Sequence, residues 1–265
     1  MAGRIAFIEL SGLNLLEIPD KEKEKLWISG GFPDAFLATD NDIVMQWHDN
    51  FVRTYIERDL PLLGLGVSPV ILRNLWMMVA HTHGNVVNYS NIGKSLELSS
   101  TTIKKYLDFL ENAFLIRQLQ PYHLNVKKRI IKSPKLFIRD TGVLHNLLNI
   151  GSRSELEGNP LKGNSFEGFA IEQIIQICGP AYKPFFYRTH HGAECDLLLT
   201  KASKPVYSIE IKYSSTPKLT RGNNIAFNDI GAELQFIITP DTEDYLISKH
   251  TRVCSLKVFM EKYLR

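Results

Sequence analysis

Apolar and polar positions alternate over residues 204–213 with the period of a strand. Tyr207, Ile209, Ile211 and Tyr213 fall on one side, and Val206, Ser208, Glu210 and Lys212 on the other. Residues 192–199 form a second alternating run, which carries Asp196 on the same side as Glu194. The spacing from Asp196 to Glu210 suits two strands joined by a tight turn around 201–205. Before them, Ser165 is placed to cap a helix running from Phe166 to about Cys178, with Glu167 in its first turn. Further strands are expected at 184–189 and 234–239, with a helical or irregular stretch at 219–230. Short helices are expected at 244–249 and 257–264, around a small strand at 251–254. The order predicts an α/β fold over residues 160–265, a mixed sheet flanked by helices.

The first half of the chain switches to the helical period. Val44, Trp47, Phe51 and Tyr55 recur on one face between residues 43 and 63, with Arg53, Glu57 and Arg58 between them. That predicts a long amphipathic helix ending near Pro61. A strand is expected within residues 1–16, a charged helical start at 20–26, and a turn at Gly30-Gly31-Phe32-Pro33. Ser68-Pro69 then opens a helix whose face is Leu72, Leu75, Trp76 and Val79. After a break at Gly84-Asn85, Ser90 caps a short helix over 91–98, and Ser99 or Ser100 caps a third that runs to about Asn112. In the third, Ile103, Tyr106, Leu107 and Leu110 point inward, while Thr101, Thr102, Lys104 and Lys105 point outward. Residues 115–119 and 135–139 read as wing strands, with Lys127-Lys128-Arg129 and Lys132 at the tip between them. The pattern is that of a winged helix. A linker is expected at residues 151–163.

Composition changes this picture little. Of 265 residues, 44% are apolar and 22% charged, ordinary for a globular chain, and no apolar run approaches a membrane span. The net charge of +3 leaves nucleic-acid binding to local patches. Thr101, Thr102, Lys104, Lys105, Lys127, Lys128 and Arg129 form such a patch, because helix and wing are basic together; a protein-docking winged helix is the alternative. Three dispersed cysteines, Cys178, Cys195 and Cys254, lack the spacing of a zinc ribbon or disulfide framework and suit a reducing cytoplasm. Gly93-Lys94-Ser95 imitates the end of a phosphate-binding loop, but Asn88 stands where that loop needs glycine and the triplet falls within a helix. His81, His83, His190 and His191 lack a Cys or Asp at ligand spacing and read as surface or second-layer groups.

A Glu-x-Lys triplet occurs by chance about once in a chain of this size. The context here carries more: helical Glu167, then Asp196 on the hairpin, then Glu210 and Lys212 on one strand face. Asp196, Glu210 and the Ile211 carbonyl offer hard oxygen ligands suited to Mg²⁺ or Mn²⁺. Such an ion would polarise a phosphodiester, and Lys212 would orient water or offset charge on the transition state. The alternative is a structural Glu–Lys pair at a strand end, worth little when exposed.

Taken together, Gly3-Arg4-Ile5-Ala6, Gly30-Gly31-Phe32-Pro33, Tyr55-Ile56-Glu57-Arg58-Asp59, the winged helix, Lys135-Leu136-Phe137-Ile138-Arg139-Asp140-Thr141-Gly142, Phe166-Glu167, Glu194-Cys195-Asp196 and Glu210-Ile211-Lys212 resemble one family throughout. It is the C-terminal portion of prokaryotic AAA-family ATPases, whose tail is an uncharacterised domain with a PD-(D/E)XK nuclease-like fold. The resemblance implies that residues 1–64 are an ATPase-core remnant with its helical lid-like segment, residues 65–150 the winged helix and residues 160–265 the PD-(D/E)XK nuclease-like domain. It also implies that the family's nuclease motif lies on Glu167, Asp196, Glu210 and Lys212. The Walker motifs are absent, so the chain is not expected to hydrolyse ATP by itself, and a separate or upstream ATPase core is the implied partner. The expected function is that of a DNA-associated, metal-dependent deoxyribonuclease. The alternative is a non-catalytic DNA- or protein-binding module, or the regulatory portion of such an ATPase.

Overall fold

A computed structural model describes residues 9–62, 64, 66–123 and 130–264. The expected strand within 1–16 falls largely on residues 1–8, and the wing-tip residues Lys127, Lys128 and Arg129 fall on 124–129; both lie outside the described residues. The fold is mixed α/β, with helices first and then a mixed sheet flanked by helices.

A 3-10 turn at Asp20–Glu22 leads into α1 (Lys23–Ser29), α2 (Pro33–Leu37) and α3 (Asn41–Thr54). The helix expected to run to residue 63 does so in three pieces. A π-helical turn, Tyr55–Asp59, separates α3 from the short α4 (Leu60–Leu62). The hydrophobic period alone does not reveal that extra residue in the turn.

Next come α5 (Pro69–His81), α6 (Tyr89–Leu96) and α7 (Ser100–Asn112), then an antiparallel ribbon of β1 (Ile116–Leu119) and β2 (Lys135–Ile138). This is a winged-helix arrangement. Leu72, Leu75, Trp76 and Val79 are buried against Ile103, Leu107 and Leu110, as their spacing predicts. The caps differ from expectation. The Asn88 side chain, not Ser90, accepts the Asn91 N–H at 3.0 Å, so α6 starts earlier, while Ser99 caps α7 by accepting from Thr102. Gly93 lies within α6 because a Cβ there would sit 2.5 Å from the Leu98 carbonyl as the chain turns back into α7.

Two further short helices, α8 (Thr141–Leu147) and α9 (Arg153–Glu157), precede α10 (Lys162–Cys178). The segment read as a linker thus contains α9, closed by a capping box between Ser152 and Glu155. α10 begins at Lys162, so Ser165 is not its cap and Glu167 stands in the second turn. Ser165 is buried instead, accepting from Trp27 Nε1 at 3.0 Å and lying 2.7 Å from His145 Nε2.

The sheet is built from β3 (Tyr182–Arg188), β4 (Glu194–Lys201), β5 (Lys204–Ile211), β6 (Leu234–Thr239), β7 (Tyr245–Leu246) and β8 (Thr251–Ser255), with α11 (Arg221–Ile230) and α12 (Leu256–Tyr263). Its order is β3-β4-β5-β6-β8-β7. The first three strands are antiparallel, while β6 and β8 run parallel to β5. Residues 244–249, expected to be helical, hold the edge strand β7, whose two residues pair with Val253 and Arg252. One face of the sheet packs Leu197, Leu199, Ile209 and Phe236 against α10, α12 and Trp27; the other packs Leu198 and Tyr187 against Phe227 of α11. The winged helix meets β3 through the Pro121–Phe186 and Ile130–Thr189 bridges.

Candidate metal and phosphate site

The hairpin of β4 and β5 places the acids. The pairing runs from Lys201–Lys204 to Leu197–Ile209. Beside it, three steps on β4 oppose two on β3, between Phe185–Leu198 and Tyr187–Cys195. Such a bulge re-aims side chains. Here Asp196 leaves simple alternation, and its Oδ2 accepts the Ile211 N–H at 2.9 Å. Glu210 and Lys212 keep the shared face that β5 predicts, with Lys212 Nζ 2.6 Å from Glu210 Oε1.

Four candidates, Glu167, Asp196, Glu210 and Lys212, line one polar cleft of about 540 Å³ together with Glu194, Arg188 and Lys135. The basic residues of α7 do not line it. Thr101, Lys104 and Lys105 are exposed on that helix and Thr102 is half-buried.

Lys135 and Glu194 are the residues that sequence reasoning missed. Lys135 Nζ lies 2.9 Å from Glu167 Oε1, 2.9 Å from Glu194 Oε1 and 3.6 Å from Asp196 Oδ1. Glu194 could have been found from its place two residues before Asp196. Lys135 gives one weak signal, a cation opening a strand of otherwise apolar residues, Leu136-Phe137-Ile138.

Burial works against charge on Glu210, Glu167 and Lys135. It pushes the Glu210 carboxyl up to about 9, Asp196 adding to the shift and Lys212 opposing it. It pushes Glu167 up to about 7 although Lys135 beside it pulls the other way. Burial alone would lower the Lys135 ammonium, yet Glu167, Asp196 and Glu194 hold it above its ordinary value.

Glu210 Oε2 is buried and has no hydrogen-bond partner. A buried carboxylate oxygen without a donor is unfavourable unless a cation compensates it. That orphaned oxygen and Asp196 Oδ1, held only at 3.6 Å by Lys135, suit a hard divalent cation. Among the described residues no group of three or more His, Cys, Asp or Glu side chains gathers as a metal-ligand set. The protein's side-chain contribution would therefore be these two carboxylates, a number that suits Mg²⁺, which keeps several waters.

The histidines do not contribute. His81, His190 and His191 are exposed, whereas His83 is wholly buried, its Nδ1 accepting the Ile138 N–H at 3.0 Å. Cys178, Cys195 and Cys254 are buried free thiols.

With an α/β fold of winged helix and mixed sheet around an acidic cleft, the chain can be set beside known proteins. Residues 20–154, about half of its length, match the family described as Domain of unknown function (DUF8612), and the chain belongs to that family. Residues 162–259 match Domain of unknown function (DUF4143), which is found in C-terminal regions associated with AAA ATPases. An uncharacterised protein of Mycobacterium tuberculosis is 39% identical over 249 residues, as is one of Mycobacterium bovis; each alignment covers 94% of this chain and 56% of the relative. The chain thus spans little more than half the length of those relatives. An uncharacterised protein of Haemophilus influenzae is 31% identical over 146 residues, covering 52% of this chain and 35% of the relative. No solved structure matches the chain significantly. Among the described residues no helix is long and apolar enough to cross a membrane.

Proposed function

We propose that this chain is the DNA-directed portion of a phosphodiester-cleaving protein, with its reaction centre in the cleft between α10 and the β4–β5 hairpin. The observation that carries this reading is the buried, unpartnered Glu210 Oε2 in a cleft shared with Asp196, Glu167 and Lys212. Asp196 and Glu210 would hold Mg²⁺ or Mn²⁺. When bound, the ion would polarise the scissile phosphate and acidify the attacking water. Lys212, half-buried and hydrogen-bonded to Glu210, brings an ammonium to the cleft where phosphorane charge would develop. Glu167, in the same cleft, would orient a water bound to the ion. The exposed Thr101, Lys104 and Lys105 of α7 would hold duplex through its phosphates. An ATPase core, separate or upstream, is the proposed partner, on the strength of the resemblance.

A second reading, a binding module whose nuclease-like fold is a scaffold, is favoured by Lys135, which already neutralises part of the acid cluster. Cleavage of supercoiled and linear DNA in Mg²⁺ or Mn²⁺ separates the two. Asp196→Ala and Glu210→Ala should lose both metal binding and cleavage. Lys212→Ala should lose cleavage while still binding the ion. Equal, modest stability losses in all three variants, with no cleavage by the wild type, would leave the scaffold.

A further inference from the structure

Lys135 is a cation that the chain supplies to its own acid cluster. Its side chain is 3% exposed and meets Glu167, Glu194 and Asp196 at 2.9, 2.9 and 3.6 Å. A lysine so buried is rare unless paired, and here three carboxylates pair with it. It does not come from the sheet that carries the acids. It opens β2 of the winged-helix ribbon, and that ribbon is pinned on both sides of the junction. Val87 N–H donates to the Pro134 carbonyl at 2.9 Å and Leu136 N–H to that of Asn85 at 3.0 Å, while Ile131 N–H donates to that of Arg188, on β3, at 3.0 Å. The ammonium is therefore delivered across the boundary between the two units.

Asp196 Oδ1, the oxygen left for a divalent ion, is also the one that Lys135 touches. A divalent cation at about 2.1 Å from that oxygen would stand next to the ammonium, in a buried site where like charges repel strongly. We propose that Lys135 is a latch. It occupies the cation seat of the carboxylates in the closed state, and loading of a divalent ion on Asp196 and Glu210 competes with it and loosens the ribbon. This rests on the metal-binding reading above. Linkage makes the effect reciprocal: whatever draws the ribbon away raises the affinity for the ion by the same factor.

The test is calorimetry of Mn²⁺ binding to the whole chain, wild type against Lys135→Gln and Lys135→Met. Removing the competing charge should tighten Mn²⁺ binding by about tenfold or more. Unchanged or weaker binding overturns the latch, because Lys135 would then be positioning the carboxylates. Loss of a buried ammonium can unfold a chain, so the wild type carries a second measurement, hydrogen exchange with and without Mn²⁺. The amides of Val87, Ile131 and Leu136 should exchange faster in the loaded protein; unchanged or slower exchange there overturns the proposal. Absence of Mn²⁺ binding in every protein overturns the latch and the metal reading together. Tighter binding by the variants, with no DNA cleavage by the wild type, leaves the latch standing and removes only the phosphodiesterase reading.

Discussion

His83 and His145 are neutral rings in a dry interior, and they make the chain acid-sensitive. Burial, with the neighbouring histidine adding, pushes His83 down to about 3, and burial pushes His145 down to about 4. The Nδ1–H of His145 donates to the Ile28 carbonyl at 3.0 Å, so its Nε2 accepts from the Ser165 hydroxyl. In the unfolded chain both rings take a proton near pH 6.5. Between that value and about 4 the unfolded state therefore binds more protons than the native state. Their contribution to stability is full above pH 6.5 and is lost as the pH falls, by about 1.4 kcal/mol per pH unit for each ring. The raised carboxyls of Glu167 and Glu210 oppose this slope over the same range, so the check is the difference between variants: in urea titrations from pH 7 to 4.5, wild type should lose about 1.4 kcal/mol per pH unit relative to His145→Gln below pH 6.5. A difference between wild type and His145→Gln that stays constant from pH 6.5 to 4.5 would contradict the burial of that ring. Neither burial is legible in the sequence. His83 reads as a surface group because nothing local reports that its ring lies under Gly168, where a Cβ would sit 2.2 Å from Nε2. Lys135 is hidden for the same reason, since its partners are remote along the chain.

Elements were legible where polar and apolar positions alternated with a clear period. The alternation of β5 and the apolar face of α7 place Glu210, Lys212, Lys104 and Lys105 where the structure has them. The bulge in β4 and the π-helical turn after α3 were not, because one added residue leaves composition and approximate period unchanged. The β4–β5 turn is built from residues that suit it poorly. Ala202 and Ser203 have φ values of 48° and 65°, the left-handed region that a two-residue hairpin turn requires. Asn-Gly at these positions should stabilise the chain by about 1 kcal/mol, seen as a rise of about 2–4 °C in Tm. An unchanged or lower Tm would show that the turn is not strained. Gly142 is constrained in the opposite sense. A Cβ there would lie 2.2 Å from the Ser29 carbonyl, at the seam where Asp140 Oδ2 accepts the Gly31 N–H at 2.7 Å. Gly142→Ala should destabilise by about 3 kcal/mol; denaturant melts within about 0.5 kcal/mol of wild type would contradict so close an approach.

At the scale of the molecule, buried charge joins the winged helix to the sheet. Glu172 of α10, 3% exposed, receives Arg117 of β1 through two hydrogen bonds and Arg139 Nε at 3.1 Å. Burial would raise its carboxyl, but Arg117 and Arg139 hold it below the ordinary range. Removing one partner leaves uncompensated buried charge, so Glu172→Ala should cost about 3–5 kcal/mol in equilibrium unfolding. A loss below about 1 kcal/mol would mean that the junction is held by apolar contacts alone. The same junction brings Lys135 to the cleft, so the state of the acid site and the seating of the ribbon belong to one equilibrium. The central claim is that Asp196 and Glu210 form a cation seat, and its most direct test is crystallographic. In crystals soaked with Mn²⁺, an anomalous peak is predicted at about 2.1 Å from one oxygen of each carboxylate, with Glu210 Oε2 among them. Clear density for both side chains, without such a peak and with Glu210 Oε2 still unpartnered, would contradict the account.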